Sequence, residues 1–379
     1  MRFPDDVPVL TDGRVTLRAH RPGDVDAITE QCRDEEMQRF TLVPVPYSRE
    51  DAVAFVASRA SLWDDGTTCS FAIEVPEGSG SSKFAGTVEL RHKGVPGLAH
   101  VAFGNHPAAR GRGVMTTAVR LVADWAFEQR GVQRLGWSCI AGNIASWRVA
   151  WRNGFRFDGS LRRTQPQRGA LLDSWTGSLL ATDDRDPKTR WLDHPKLTDG
   201  RVALRPLALT DEQRFLETVL DPESERWLAD IPLPRDMESF RTRVRTSGLA
   251  PSLGQAVEWA ITDAATDEYV GGLNLFGFAG LDHESAEVGY RTHPDARGRG
   301  LAGAAVRLAL AQGFRSADDG GFGLNRVSLG AGDGNLASQA VARACGFTET
   351  GRDRRAYRLR DGSVVDLLRF DILADEWRG

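Results

Sequence analysis

The chain contains an internal repeat, and this repeat limits what the chain can fold into more than any other feature of the sequence. Residues 11–18 (TDGRVTLR) match residues 198–205 (TDGRVALR) at seven of eight positions, at an offset of 187. Residues 106–113 (HPAARGRG) match residues 293–300 (HPDARGRG) at the same offset. Two distant segments that keep one register indicate a duplicated domain.

The second copy is longer than the first. Residues 143–146 (NIAS) pair with residues 335–338 (NLAS), now at an offset of 192, so five residues have been gained in between. The DDGG sequence within residues 317–322 is typical of a loop and is the best place for this gain.

The two copies meet in a polar segment. Residues 181–196 are charged, contain two prolines and show no apolar period, which is typical of a linker. A chain of 379 residues also has the length of about two domains of roughly 150 residues each. We therefore expect an N-terminal domain at residues 1–190 and a C-terminal domain at residues 191–379.

Apolar patterning predicts the same order of elements in both copies. The predicted strands are residues 15–18, 69–75, 83–91, 99–104 and 134–139 in the first copy, and 202–205, 256–262, 269–275, 286–292, 326–329 and 364–370 in the second. Residues with helical apolar spacing follow positions 113 and 300. Because strands joined by turns precede this helix, without regular βαβ alternation, we expect an α+β fold whose mixed, mostly antiparallel sheet is flanked by helices.

Composition and charge exclude several classes of protein. Hydrophobic residues make up 41% of the chain and charged residues 26%, which are values of a folded globular protein. A net charge of -4 lacks the basic field of a nucleic-acid-binding protein, so we expect no nucleic-acid partner. Runs of about 18 apolar residues are missing, and residues 1–10 do not resemble a signal peptide, so we expect a cytoplasmic protein without a membrane partner.

The spacing of the cysteines also favours a cytoplasmic protein. Cys32, Cys69, Cys139 and Cys345 are far apart and form no C-x-x-C motif. This spacing favours neither a zinc site nor a disulfide framework. We therefore expect no metal, and a reducing cytosol fits best.

The repeated Arg-Gly-Arg-Gly segment has the parts of an anion-binding site. In both copies, at residues 110–113 and 297–300, it joins a predicted strand to a predicted helix. Glycines let backbone N–H groups approach a phosphate, the helix N-terminus adds partial positive charge, and the arginines add formal charge. One isolated copy could be a glycine-rich turn with solvated arginines, whereas two copies in matching context favour a ligand-binding loop.

The loop also carries a family resemblance. Arg297-x-x-Gly300-x-Ala302 matches the [Arg/Gln]-x-x-Gly-x-[Gly/Ala] signature of the GCN5-related N-acetyltransferase (GNAT) superfamily, which the sequence resembles over nearly the whole of both copies. The early Gly-Arg-Val-x-Leu-Arg strand, the later Asn-x-x-Ser before Gly-Phe, and the ending at residues 365–377 are similar to the branch of ribosomal-protein N-terminal acetyltransferases. The resemblance implies two tandem acyl-CoA N-acyltransferase domains with acetyl-CoA as cofactor.

The resemblance implies that coenzyme A contacts the loop, the helix after it and the strand before it. The implied contacts are Tyr290, Arg291, Thr292, Arg297, Gly298, Arg299, Gly300, Leu301, Ala302, Gly303 and Asn335 in the second copy, and Arg110, Gly111, Arg112, Gly113 and Asn143 in the first. Backbone N–H groups at residues 290–292 would pair with the pantetheine arm and polarise the acetyl carbonyl. The first copy departs from the signature at Met115, which either interferes with the pyrophosphate or turns into the core of its helix.

Two residues three positions apart are implied to contact the thiol end of coenzyme A. By resemblance, Asn335 would contact the pantetheine arm and Ser338 would hydrogen-bond the leaving thiolate; alternatively, Asn335 is only a helix N-cap. Many family members place a tyrosine general acid seven residues after this asparagine, but Ala342 and Ala150 occupy those positions. The proton must then come from Ser338, from water or from another group.

Acetylation of an amine also needs a base, because only the neutral amine is a nucleophile. On the strand before the loop, Glu287 of the second copy and His100 of the first occupy equivalent positions. Glu287 is the candidate base or amine-positioning residue, although it could be an exposed strand carboxylate. His100 could titrate in the right range, although a lone histidine on a strand is more often structural. We therefore expect the second copy to carry most of the activity, whereas the first copy could be degenerate.

The resemblance implies acetyl transfer to a primary amine of a peptide N-terminus or small molecule, and two other functions are alternatives to it. Residues 298–303 satisfy G-x-G-x-x-G, but a dinucleotide-binding fingerprint opens a βαβ unit, and here a predicted antiparallel meander precedes the loop. A non-catalytic acyl-CoA-binding or scaffold protein is the other alternative. The sequence carries no code for the acetyl acceptor. The complete set of elements in each copy predicts a pseudo-dimer of the two domains, and further oligomerisation stays open.

Overall fold

The repeat of the sequence is also a repeat of the structure. The computed structural model describes residues 7–64, 66–77, 81–228, 232–280 and 284–379. The chain divides into two units, Met1–Lys188 and Thr189–Gly379, which we call the N-terminal and C-terminal units.

The N-terminal unit has the element order expected from the sequence, with additional helices before its third strand. Its elements are β1 (Leu10–Thr11), β2 (Thr16–Arg18), α1 (Val25–Arg33), α2 (Glu35–Phe40), α3 (Arg49–Asp64), β3 (Thr68–Glu77), β4 (Ser81–His92), β5 (Leu98–Asn105), α4 (Val114–Gln129), β6 (Arg134–Ile140), α5 (Ile144–Arg152), β7 (Arg156–Gln167) and β8 (Ala170–Leu180).

The C-terminal unit repeats this order. Its elements are β9 (Leu197–Thr198), β10 (Val202–Arg205), α6 (Glu212–Leu220), α7 (Pro222–Trp227), α8 (Met237–Thr246), α9 (Leu249–Ser252), β11 (Ala256–Asp263), β12 (Tyr269–Ala279), β13 (Ser285–Thr292), α10 (Leu301–Phe314), β14 (Arg326–Gly332), α11 (Leu336–Ala344), β15 (Thr348–Arg358) and β16 (Val364–Leu373). Among the described residues, no helix is long and apolar enough to cross a membrane.

Each unit forms a mixed sheet that is mostly antiparallel, which confirms the predicted fold class. Within the described residues, both sheets have eight strands, in the orders β1-β2-β3-β4-β5-β6-β8-β7 and β15-β16-β14-β13-β12-β11-β10-β9. In each sheet one pair is parallel, β5 with β6 and β13 with β14. Strands 3 to 5 and 11 to 13 are the antiparallel meanders expected from the sequence.

Helices cover both faces of the C-terminal sheet. Helix α10 packs Ala305, Val306 and Ala309 into the main core, against inward residues of β11 such as Trp259. On the opposite face, Phe215 of α6 and Phe240 of α8 form a second cluster with Ala260 and Tyr269. Successive β11 residues therefore serve opposite faces, as the two-residue period of a strand requires.

The first repeated motif is explained by a turn and a buried ion pair. In the N-terminal unit, Asp12 accepts hydrogen bonds from the backbone N–H groups of Arg14 and Val15, and the last arginine of the motif, Arg18, pairs with buried Asp24 at 2.8 Å. Burial raises the pKa of Asp24, but hydrogen bonds from Arg18 and the Arg21 backbone lower it by more, so it lies below its ordinary value. The motif thus ties the first strand to the first helix.

The five extra residues of the C-terminal unit lie where the sequence placed them. The connection between α10 and β14 runs over residues 315–325, whereas that between α4 and β6 runs only over residues 130–133. Helix α10 has 14 residues and α4 has 16, so a connection that is seven residues longer gives a net gain of five. Gln312 stabilises the longer turn by donating from Nε2 to the carbonyl oxygen of Gly320 at 2.7 Å.

Candidate active site

Two neighbouring strands of the C-terminal sheet separate and leave a cleft between them. Strands β13 and β14 pair only as far as Glu287 and Ser328. Beyond these residues, β13 stays paired with β12 to Thr292, and β14 stays paired with β16 to Gly332. The facing edges of the two strands are then available to a ligand. We call this gap, between residues 288–292 and 329–332, the C-terminal cleft.

The N-terminal sheet has the same feature. Strands β5 and β6 pair only as far as His100 and Gly136, although β5 continues to Asn105 and β6 to Ile140. We call the gap beyond His100 and Gly136 the N-terminal cleft. Both units therefore retain the same opening in the sheet.

The hydrogen-bond pattern of β13 shows which backbone groups face the cleft. The N–H group of His293 donates to Val270 across the β12 side at 2.9 Å. Because the direction alternates along an antiparallel ladder, Arg291 also directs its N–H group to β12, whereas Tyr290 and Thr292 direct theirs to the C-terminal cleft. Of the three backbone N–H groups that the resemblance implied, two are therefore placed for a ligand in the cleft.

Arg291 has a different role from the one expected of it. Its guanidinium is buried, pairs with Glu258 at 3.1 Å and lies over the ring of Phe215 at 4.8 Å. Burial alone would lower the pKa of Arg291, but Tyr269 and Glu258 raise it by more, so the charge is retained. Arg291 thus anchors β13 to the interior, with its side chain held by Glu258 and its backbone N–H directed to β12.

The loop before α10 has the backbone shape of an anion cradle. Gly298 and Gly300 have φ values of 70° and 73°, which L side chains rarely adopt. A Cβ added at either glycine would meet nothing within 4 Å, so the loop is open on that side. Gly300 is the N-cap and provides no side-chain hydrogen bond, which leaves the first-turn N–H groups at residues 301–303 facing outward.

The corresponding loop of the N-terminal unit has the same shape. Gly111 and Gly113 have φ values of 71° and 75°, and Gly113 caps α4 without a side-chain hydrogen bond. Met115 is 2% exposed, so its side chain turns into the core of the unit. Of the two alternatives for Met115, the structure therefore shows the packing role. The bulk of the thioether does not lie over the open side of the loop.

The loop arginines are partly engaged within the protein. Arg297 pairs with Asp221, the N-cap of α7, and also donates to Ser224 at 3.0 Å. In the N-terminal unit, Arg110 pairs in the same way with Asp34, the N-cap of α2. Both arginines therefore tie the loop to the second helix of their unit.

The arginines at the centre of the loops are more available. Arg299 is 53% exposed in its side chain, and its nearest carboxylate, that of Asp263, is 3.9 Å away. Arg112 is also exposed. These two side chains are better placed than Arg297 and Arg110 to meet a phosphate.

Asn335 and Ser338 lie together at the start of α11. The side-chain oxygen of Asn335 accepts a hydrogen bond from the backbone N–H of Ser338 at 3.1 Å, so Asn335 is a helix N-cap. Asn143 caps α5 in the same way through Ser146 at 3.0 Å. Capping uses the amide oxygen and leaves the amide N–H groups to donate elsewhere.

A tyrosine hydroxyl that the sequence did not single out lies beside Ser338. The hydroxyl of Tyr290 is 3.0 Å from Ser338 Oγ and 3.1 Å from its carbonyl oxygen. In the N-terminal unit the strand residue is Phe103, and Ser146 Oγ instead accepts a hydrogen bond from Trp137 Nε1 at 3.0 Å. In both units a ring donor therefore contacts the serine.

The two candidate bases lie where the strands separate. Glu287 is 33% exposed in its side chain, its carboxylate is 4.0 Å from Arg369, and a Cβ added at Gly330 of β14 would lie 3.4 Å from its Oε1. His100 Nε2 is 3.1 Å from Ser138 Oγ of β6. Both side chains therefore lie against the opposite strand at the end of the paired region.

The surroundings of His100 lower its pKa below the ordinary value of a histidine. Burial, together with the nearby charges of Lys93, Arg91 and Arg134, lowers the pKa of His100 to about 4. The imidazole is therefore neutral at pH 7, and these cations oppose the positive charge it would acquire as a base.

A family model described as "Acetyltransferase (GNAT) domain" matches residues 14–156 and again residues 201–348. These two matches cover well over half of the chain. The chain belongs to the GNAT acetyltransferase family. The loops, the clefts and the candidate bases all lie inside the matched residues.

Several relatives match about half of this chain over nearly their own full length. "Uncharacterized N-acetyltransferase p20" of Bacillus licheniformis is 28% identical over 181 residues, covering 47% of this chain and 96% of p20. "Putative ribosomal N-acetyltransferase YdaF" of Bacillus subtilis is 25% identical over 189 residues, covering 47% of this chain and 94% of YdaF. The structure of Mycobacterium smegmatis RimJ in complex with CoA-disulfide is 19% identical, with a TM-score of 0.42, and covers 47% of this chain and 90% of RimJ.

Sequence reasoning about this GNAT chain missed the Tyr290 hydroxyl and the buried pairing of Arg291. The difference between Tyr290 and Phe103 was visible as a difference between the two copies. However, the partner of Tyr290 lies 48 residues further along the chain. Only the fold shows that this partner is Ser338.

Proposed function

We propose that this GNAT protein is an acetyl-CoA-dependent N-acetyltransferase that transfers the acetyl group directly to a primary amine, of either a peptide N-terminus or a small molecule. The observation that carries the proposal is the arrangement of the C-terminal unit. An uncapped helix N-terminus follows two glycines with positive φ. The unpaired edge of β13 and the carboxylate of Glu287 belong to the strand that leads into this loop.

The residues present fit coenzyme A. When bound, acetyl-CoA supplies an activated thioester and a pyrophosphate whose negative charge suits a helix N-terminus. The N–H groups of residues 301–303 and the side chain of Arg299 would hold the pyrophosphate. The backbone N–H groups of Tyr290 and Thr292 would hold the pantetheine arm and polarise the acetyl carbonyl. The open side of Gly298 and Gly300 leaves room for close approach.

Glu287 is the general base of the proposed reaction. Its carboxylate is partly exposed and lies beside the opening of the cleft, where an amine can reach it directly or through one water. The neutral amine attacks the acetyl carbon through its lone pair, and Glu287 takes the proton that the nitrogen loses as the C–N bond forms.

A covalent acetyl-enzyme is not favoured by the cysteine nearest the loop. Cys345 is 4% exposed, and its thiol lies 3.5 Å from the carbonyl oxygen of Gly303. Burial raises the pKa of the Cys345 thiol, although Arg307 partly opposes this. Because the thiolate is the nucleophilic form, direct transfer to the amine is the better-supported route.

We assign most of the turnover to the C-terminal unit. It carries Glu287 where the N-terminal unit carries His100, whose pKa of about 4 and cationic surroundings oppose protonation. The N-terminal loop has the same backbone shape as the C-terminal loop. Binding of coenzyme A without efficient catalysis is therefore the second candidate function for the N-terminal unit.

The experiment is an acceptor screen with the full chain and acetyl-CoA. Free thiol release and the mass of the acceptor are measured for small amines and for peptides with free N-termini. Peptides from ribosomal-protein N-termini are included because YdaF is described as a putative ribosomal N-acetyltransferase. The matched control for each peptide is its Nα-blocked form. We expect acetylated acceptor and unmodified enzyme. A kinetically competent acetyl-enzyme, or loss of turnover on chelation of metals, would contradict direct, metal-free transfer.

A further inference from the structure

Ser338 and Tyr290 form a hydrogen-bonded pair that joins the two sides of the C-terminal cleft. Tyr290 lies on β13, three residues beyond the last residue paired with β14. Ser338 lies in the first turn of α11, the helix that follows β14. The pair, with 3.0 Å between Tyr290 Oη and Ser338 Oγ, is therefore situated where the thiol end of a bound coenzyme A is expected.

The number of protons determines what this pair can do. Each hydroxyl has one proton to donate and can accept hydrogen bonds on its oxygen. The Tyr290 hydroxyl has two acceptors within reach, the carbonyl oxygen of Ser338 at 3.1 Å and Ser338 Oγ at 3.0 Å. When it donates to the carbonyl oxygen, Ser338 Oγ donates its own proton to Tyr290. When it donates to Ser338 Oγ, which a thiolate acceptor beside Ser338 favours, the proton of Ser338 is free to point at that sulfur. Burial raises the pKa of Tyr290 to about 12, although the hydrogen bond with Ser338 opposes this, so the phenol stays protonated as a donor at neutral pH.

The N-terminal unit reaches the same arrangement with a different residue. Phe103 occupies the strand position of Tyr290 and has no hydroxyl. Instead, Trp137 of β6 donates its indole N–H to Ser146 Oγ at 3.0 Å. An indole N–H can only donate, so Ser146 must accept this bond and keeps its own proton for another acceptor. The hydrogen-bond partner of the serine therefore comes from β13, before the cleft, in the C-terminal unit. In the N-terminal unit it comes from β6, the strand after the cleft.

We propose that Tyr290 is a positioning residue whose hydroxyl aims the proton of Ser338 at the departing sulfur of coenzyme A. This inference rests on the proposed function. As the C–N bond forms and the C–S bond breaks, the amine proton goes to Glu287 and the bonding electron pair goes to sulfur. Ser338 donates a hydrogen bond to that thiolate, which afterwards takes a proton from water.

The test measures the thiol of bound coenzyme A as well as turnover. The full chain carries Gly113→Trp, so that reduced coenzyme A binds at the C-terminal unit alone, and ultraviolet absorbance of the thiolate is followed against pH. Tyr290→Phe is compared with its parent and with Ser338→Ala. Phenylalanine is already accommodated at this strand position in the N-terminal unit. Thermal unfolding checks that Tm moves by less than about 4 °C.

A hydrogen bond to the charged form lowers a pKa, so the bound thiol should titrate below free coenzyme A. Tyr290→Phe should return its pKa toward the free value by about 0.5 to 1 unit, lower kcat about tenfold and leave KM for acetyl-CoA within about twofold. Ser338→Ala should give a similar shift, and the double variant no larger one.

Two other outcomes are decisive. An unchanged thiol pKa in Tyr290→Phe would overturn the inference and leave Tyr290 a packing residue, even if turnover falls. If the parent chain binds no coenzyme A in calorimetry, the proposed function itself fails, and the inference fails with it. The two failures are therefore distinguishable.

Discussion

Replacement of Glu287 by glutamine tests the assignment of the base. The carboxylate is 33% exposed and its partner Arg369 is 43% exposed, at 4.0 Å. An exposed pair of this kind contributes at most about 1 kcal/mol to stability. Loss of a general base costs about 10²-fold or more in rate, which is about 2.7 kcal/mol or more of transition-state stabilisation. The catalytic effect therefore exceeds the largest expected structural effect.

The assay for Glu287→Gln is steady-state acetyl transfer to the best acceptor from the screen, together with urea unfolding. We expect kcat to fall at least about 10²-fold while KM for acetyl-CoA stays within about twofold, because the base acts on the amine and not on the pyrophosphate. Arg369→Ala is the matched control, since it removes the same ion pair but keeps the carboxylate. Equal losses in both variants, or near-normal turnover of Glu287→Gln from pH 6 to 9, would refute the reasoning.

Three further changes have outcomes fixed by the structure. Glu258→Gln leaves the buried charge of Arg291 without its carboxylate and should destabilise the C-terminal unit by about 3–5 kcal/mol in urea unfolding; a loss under about 1 kcal/mol would contradict this. Asp221→Asn keeps a helix cap but releases Arg297, so coenzyme A affinity in calorimetry should rise about two- to fivefold, and weaker binding would count against it. The pKa of His100 is about 4 in the folded chain and ordinarily 6.5, so the unfolded chain binds more protons between these pH values. The free energy of unfolding should therefore fall as the pH drops through this range. His100→Gln should make this fall shallower, and an unchanged slope would contradict the assignment.

The order of elements and the sheet class were predictable because they depend on local patterns. Strand β10 occupies Val202–Arg205 as predicted, and the predicted strand at residues 286–292 lies within Ser285–Thr292. The loop glycines were predictable for the same reason, since a helix that begins at Leu301 after Gly300 leaves a local signature. Because the sequence is repeated, each of these strand and loop patterns occurs twice in the chain.

The finer contacts of the site depend on residues that are distant in sequence. Arg297 was expected to contact phosphate, but its partner Asp221 lies 76 residues earlier. Arg291 was expected to face the ligand, but the pairing of β13 with β12 turns its N–H group away, and Glu258, 33 residues earlier, holds its side chain. The apolar pattern of a strand shows which side chains share a face of the sheet. It does not show which other strand pairs with each edge of that strand.

The most direct test of the account compares the two loops within one chain. Gly300→Trp and Gly113→Trp each place a large side chain on the open side of one loop, where a Cβ meets nothing within 4 Å. Calorimetric stoichiometry of coenzyme A and acetyl-CoA turnover are measured for both variants, with thermal unfolding as the control for folding. We expect each variant to lose the binding event of its own unit, Gly300→Trp to abolish turnover and Gly113→Trp to retain most of it. The reverse ranking, or equal halving of turnover by both, would contradict the assignment of catalysis to the C-terminal unit.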